Sequence, residues 1–148
     1  MTIKDPIKAT GDVLLTVIGA DGKLKERREI KNLVVTVGRN FIASRMRGAT
    51  PAVMSHMALG SGNTAAAAGN TALVAELGRA ALDSTGGTGN QVIYTATFGP
   101  GVGTGAVAEA GVFNAGAAGD MLARTVFSVV NKAADDTIVL TWTVTING

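Results

Sequence analysis

The chain has 148 residues, 47% of them hydrophobic, 16% charged and only 4% aromatic. That is the size of one domain with enough apolar matter for a core, and it excludes a disordered tail or a solvating acidic segment. The absence of cysteine excludes a disulfide framework and thiolate chemistry, and a single histidine, His56, excludes a multi-histidine metal site within one chain.

The net charge of +2 conceals an asymmetry. Ten of the thirteen Lys and Arg residues precede Gly48, where five acids leave +5, while the residues from Gly48 onward carry three bases and six acids, or −3. Such polarity predicts a basic surface that meets an acidic partner, or copies that pair unlike faces. No run reaches the ~18 consecutive apolar residues of a membrane span. Lys8 followed by Val13–Ala20 has the look of a signal peptide, but Asp5, Asp12 and Asp21 bracket that run and it reads as a strand.

In chain order, residues 1–11 read as an extended arm, polar and with Pro6. A hairpin follows: Val13–Ile18, a turn at Asp21-Gly22, and a return from Leu24 to Ile30. The return strand has charge on both faces and reads as an edge strand, whose charges discourage unwanted pairing. Thr36 is placed to cap a helix over 37–47, in which Val37, Phe41, Ile42 and Met46 form one stripe and Gly48 is the stop.

Val53–Leu59 reads as a buried strand. Gly62-Asn63-Thr64-Ala65 recurs as Gly69-Asn70-Thr71-Ala72, too short a unit to make a repeat architecture. Thr71 is expected to cap one or two helical turns holding Leu73, Val74 and Leu77, with a short strand from Arg79 to Asp83. Strands then follow at Gln91–Phe98, Ala106–Asn114 and Met121–Val129. The clearest comes last, with Ile138, Leu140, Trp142, Val144 and Ile146 alternating with Thr137, Val139, Thr141, Thr143 and Thr145.

About eight strands and one helix, with turns at sandwich-like spacing, predict a mainly β protein. The expected form is an antiparallel β-sandwich of jelly-roll or immunoglobulin-like type, with a basic hairpin at the start of a single domain over residues 12–148.

Catalytic chemistry finds little support. His56 shares a strand face with Met54 and Ala58 and has no nucleophile or orienting acid at a recognisable spacing. In Gly99-x-Gly101-x-Gly103-x-Gly105 no lysine follows and no helix begins, so it is a hairpin tip and not a phosphate loop. Gly60-x-Gly62 lacks the rest of a dinucleotide fingerprint. Glu76, Asp83, Glu109, Asp120, Asp135 and Asp136 are too scattered for a carboxylate pair, and Asp135-Asp136 is a turn. The basic region contains only Phe41 as an aromatic, which argues against single-stranded nucleic acid. Trp142 and Tyr94 lie on apolar faces and read as core. Glu109 with Arg124 reads as a cross-strand ion pair, worth little if exposed, and Glu76 with Arg79, at i, i+3, as a local helix-end pair.

Several stretches carry a resemblance. These are Asn32-Leu33-Val34-Val35-Thr36-Val37-Gly38-Arg39-Asn40-Phe41-Ile42-Ala43, Met57–Gly62, Gly69–Leu73 with Glu76 and Arg79, and Val92–Phe98. Most specific are Glu109-Ala110-Gly111-Val112-Phe113-Asn114 and Leu122-Ala123-Arg124-Thr125-Val126-Phe127, with Leu140–Val144 after them. From Asn32 to the C-terminus the chain resembles small virion proteins of tailed bacteriophages: β-sandwich head decoration (cement) proteins, and domains of tail-fibre or baseplate proteins.

The resemblance implies a virion part without catalysis or cofactor, made in the host cytoplasm and carried on the capsid surface. Its partners would be the major capsid protein and further copies of itself, as a trimer, with no specific nucleic acid and no membrane. The short chain lacks a fibre shaft, which favours the head; a tail-fibre or baseplate role in host attachment is the alternative. The expected contact residues are Lys4, Lys8, Lys23, Lys25, Arg27, Arg28, Arg45 and Arg47, in the arm, the hairpin and the helix.

Overall fold

The computed structural model describes residues 7–148. Eight strands and one helix follow in the order β1 (Lys8–Ile18), β2 (Leu24–Val34), α1 (Thr36–Met46), β3 (His56–Gly60), β4 (Glu76–Gly86), β5 (Gln91–Phe98), β6 (Gly105–Phe113), β7 (Met121–Lys132) and β8 (Thr137–Asn147). The last four residues of the expected arm therefore belong to β1, and Lys4 lies outside the described residues.

The strands are antiparallel and close on themselves in the order β1-β2-β7-β6-β3-β4-β5-β8. This corrects the expected jelly-roll or immunoglobulin-like sandwich: the molecule is a closed eight-stranded barrel. Two long strands make the difference by serving both halves of the wall. The first part of β4 pairs with β3, from Glu76 against Gly60 to Ala81 against His56. From Leu82 against Ala96 the strand turns to β5 and, with an irregularity between Leu82 and Ser84, pairs as far as Gly86 against Ile93. A bulge of this kind bends a strand and adds twist, so a sheet edge is carried round a corner where a sandwich would leave it free. On the other side β2 pairs with β1 from Leu24 to Asn32, and only Leu33 and Val34 reach β7, at Arg124 and Ala123. Alternation within a strand reports which face is buried and does not report which strand lies beyond its ends.

An eight-stranded barrel is just wide enough for side chains to fill. Here Val13, Leu15 and Val17 of β1, Met57 and Leu59 of β3, Tyr94, Ala96 and Phe98 of β5, and Ile138, Leu140 and Trp142 of β8 form one buried cluster. The threonines of β8 face outward. Tyr94 and Trp142 are core, at 8% and 0% exposure, and burial raises the Tyr94 phenol above its ordinary pKa.

At ~3.3 Å per residue, the two ends of an eleven-residue strand such as β1 lie roughly 33 Å apart, so the barrel has two distinct mouths. One is ringed by the starts of β1, β3, β5 and β7 and is crossed by α1. Phe41 and Ile42 pack down onto the core and Val37 onto a smaller cluster with Phe113 and Met121, while Met46 stays 84% exposed. The helix seats on β7 at the buried Gly38, where a Cβ would run into the Leu122 carbonyl. Its N-cap is Val35, in extended conformation with no side-chain cap; Thr36 is already helical and its hydroxyl accepts from Arg39 at 3.1 Å. Gly48 ends the helix with φ +78, as its position in the sequence implies.

The expected turns after Thr71 do not form. Residues 61–75 instead run back along the outer wall as an irregular strap, reaching the start of α1, where the Thr36 amide donates to Ala68 O at 2.8 Å.

Candidate functional site

The strap is held by a buried ion pair. Glu109 on β6 and Arg124 on β7 both point out of the barrel and would face solvent, yet both are 0% exposed because the strap covers them. Burying two charges is unfavourable unless their remaining lone pairs and protons are satisfied, and here they are. Glu109 accepts from Arg124 Nε at 3.0 Å and from the amides of Gly62, Val74 and Ala75 at 2.8, 2.9 and 2.8 Å. Arg124 also donates to the Asn70 side-chain oxygen at 3.0 Å and to the Thr64 carbonyl at 2.9 Å.

Both copies of the Gly-Asn-Thr-Ala motif thus meet one guanidinium. Gly60 and Gly62 are required because a Cβ at either would press into the Glu109 carboxylate. The missing helical turns have the same cause, since the Val74 and Ala75 amides are taken by that carboxylate. The expected cross-strand pair is present but not exposed, and so it acts as an anchor.

A second clamp pins a hairpin turn. Arg79 on β4 is 9% exposed in its side chain and lies over the Phe113 ring, 3.9 Å from the centroid. It grips both Glu76 oxygens and donates to the Ala115 and Ala118 carbonyls at 2.9 Å. This pair stands on a strand and not at a helix end. Nearby, His56 takes the face of Ala58 while Met54 turns into the core; its Nδ1 and the Ser55 hydroxyl are 2.8 Å apart.

The far mouth is closed by a third clamp. Lys132 is 2% exposed and donates to the Gly99 carbonyl at 2.9 Å and the Asp136 carbonyl at 2.6 Å. The Asp136 carboxylate accepts from the Ala133 amide at 2.8 Å and from Lys25 at 3.0 Å. The start of β2 and the β5–β6 and β7–β8 connections are tied together there. The Ala133 amide, then Lys25, hold the Asp136 carboxyl below its ordinary pKa; desolvation lowers that of Lys132, with Asp136 opposing.

The cations expected to meet a partner do not form one patch. Lys23 and Lys25 lie by the far mouth, Arg27 and Arg28 along β2, and Lys8, Arg45 and Arg47 at the helix-crossed mouth. Hairpin charges are largely spent within the chain: Lys25 on Asp136, Arg27 on Glu29 and Arg28 on Glu26, with Lys31 on Asp12 beside them. Arg28 also reaches the Ser128 and Val129 carbonyls of β7 at 2.6 and 3.3 Å, spanning the wall where β2 and β7 are not paired. At the helix-crossed mouth, Arg39, Arg45 and Arg47 have no carboxylate within ion-pair reach among the described residues.

Among the described residues no group of three or more metal-ligating acids or histidines occurs, and no helix is long and apolar enough to cross a membrane. Comparisons with protein-family models, with characterised proteins and with solved structures find no match to the chain.

Proposed function

We propose that this chain is a non-enzymatic structural component of a tailed-bacteriophage virion. It binds the outside of the head shell across capsomer junctions as a homo-oligomer, a trimer by preference, and opposes the outward pressure of packaged DNA. The ground for a phage is the resemblance that runs from Asn32 to the C-terminus. The observation that supports a mechanical role is the use of the buried charges: Glu109, Arg124, Arg79, Lys132 and Asp136 each bind loop or turn backbone. A body whose loops are bolted to its wall transmits load without yielding. Weak contacts repeated by one oligomer on several shell subunits add through avidity.

The test is copy number in purified virions, by quantitative mass spectrometry against the major shell protein. Amounts comparable to the shell protein are expected. A trace amount, consistent with a few rings or fibres per particle, would overturn the head assignment and favour a tail-fibre or baseplate part; absence from the particle would overturn the virion reading.

A further inference from the structure

Among the described residues, the mouth crossed by α1 brings together apolar side chains, concave surface and arginines with no carboxylate in ion-pair reach. Two recesses flank the helix. One, of about 290 Å3, lies between Ile42 and Met46 of α1 and Val92, Val144 and Ile146 of the rim. The other, of about 250 Å3, lies across Phe41, against Val53 and Thr85. Phe41, Arg45 and Tyr94 border both. Met46 and Val53 are 84% and 60% exposed around them, although large apolar side chains gain most from being covered. From Leu33 to Ala75 the chain has three arginines and no acid.

We infer that this mouth is the docking site for a protein segment that presents apolar side chains flanked by carboxylates. Two recesses on either side of Phe41 match individual anchoring side chains, and Arg45 and Arg47, at the C-terminal end of the helix, are placed to meet acids beside them. Interfaces of this kind draw affinity from a few buried anchors and selectivity from the charges around them.

A membrane surface fits less well, since lipid recognition uses a dense run of basic residues and here the arginines are interleaved with Asn40, Phe41 and Met46. Nucleic acid fits less well because the one tyrosine at the site faces the core and offers no stacking platform. The inference goes beyond the virion reading, because it names the chemistry of a partner and not its source.

The experiment is titration of the isotope-labelled full chain, followed by amide resonances, with three probes. These are a short glutamate-rich peptide carrying Leu and Phe one helical turn apart, its lysine-for-glutamate counterpart, and phosphatidylglycerol vesicles. Saturable shifts confined to Phe41–Arg47, Val53, Thr85, Val92 and Ile146 are expected with the acidic peptide alone. Arg47→Glu and Met46→Ser, both at exposed positions, should each weaken that binding about tenfold with an unchanged melting temperature. Equal binding of the lysine peptide, shifts elsewhere, stronger shifts with vesicles, absence of saturable binding, or variants that bind as tightly as the parent would each overturn it.

Discussion

Glu109 shows how a residue that resembles a surface acid becomes structural. Its carboxylate has four donors and no exposure. Replacing it by Ala leaves the Arg124 guanidinium buried without its counter-charge and three strap amides without their acceptor, an arrangement that costs about 3–5 kcal/mol. We expect Glu109→Ala to lower the denaturant midpoint accordingly, and the Gly62, Val74 and Ala75 amides to lose hydrogen-exchange protection even where the barrel amides keep it. Combining Glu109→Leu with Arg124→Met removes both charges and should recover part of the loss; a single variant as stable as the parent would refute the anchor.

The same scale holds the acid sensitivity. The folded pKa of Asp136 is below its unfolded value, so its contribution is complete above the ordinary carboxylate range and is lost as pH falls through the folded pKa. Melting temperature should therefore drop on acidification below about pH 4. Asp136→Asn should start lower at neutral pH and fall less steeply, and parallel curves would exclude Asp136 as a source.

At the scale of elements, helix and barrel meet through backbone. Gly38 lets α1 lie against the Leu122 carbonyl, and a methyl group there must push the helix away from β7. Overpacking of this kind costs about 1–3 kcal/mol. Gly38→Ala should lower stability by that amount and loosen Phe41 and Ile42 over the core, raising binding of a hydrophobic dye; a neutral substitution would mean the helix has room to shift.

Elements were the most legible level. Eight strands and one helix follow from alternation, turn residues and Gly48; β5 spans the expected Gln91–Phe98, and the helix expected over 37–47 lies at Thr36–Met46. The strap was not legible, because its form depends on a carboxylate more than thirty residues away capturing Val74 and Ala75. A signal was nevertheless present: Glu109 and Arg124 interrupt the uncharged and mostly apolar runs Gly105–Phe113 and Met121–Val130, and a charge inside such a run points to a buried partner. The residues expected to meet a partner could be read as charges but not placed on a surface, since the distribution of Lys23, Lys25, Arg45 and Arg47 between opposite mouths depends on strand direction.

For the whole molecule, the barrel is closed unevenly. Between β1 and β8 eleven residues pair without interruption, from Lys8 against Asn147 to Ile18 against Thr137. Between β2 and β7 only two residues pair, helped by the Thr125 hydroxyl on the Lys31 carbonyl and by Arg28 on Ser128 and Val129. Cooperative units open where backbone pairing and burial are least, so the first sub-global opening should part β2 from β7 while β1, β5 and β8 stay joined. Native-state hydrogen exchange should show lower opening free energies for Val126–Asn131 than for Leu140–Val144. Arg28→Ala removes the side chain that reaches the Ser128 and Val129 carbonyls across the unpaired part of the seam, and should lower global stability by about 1 kcal/mol and the seam's opening energy by at least as much. Uniform protection around the barrel, unchanged by Arg28→Ala, would mean that the wall closes as firmly there as elsewhere. A seam that opens first also decides which hairpin residue can be charge-reversed to test partner binding: reversing Lys25, Arg27 or Arg28 breaks an ion pair within the chain, so Lys23, which has no ion pair among the described residues, is the one whose reversal reads partner binding alone.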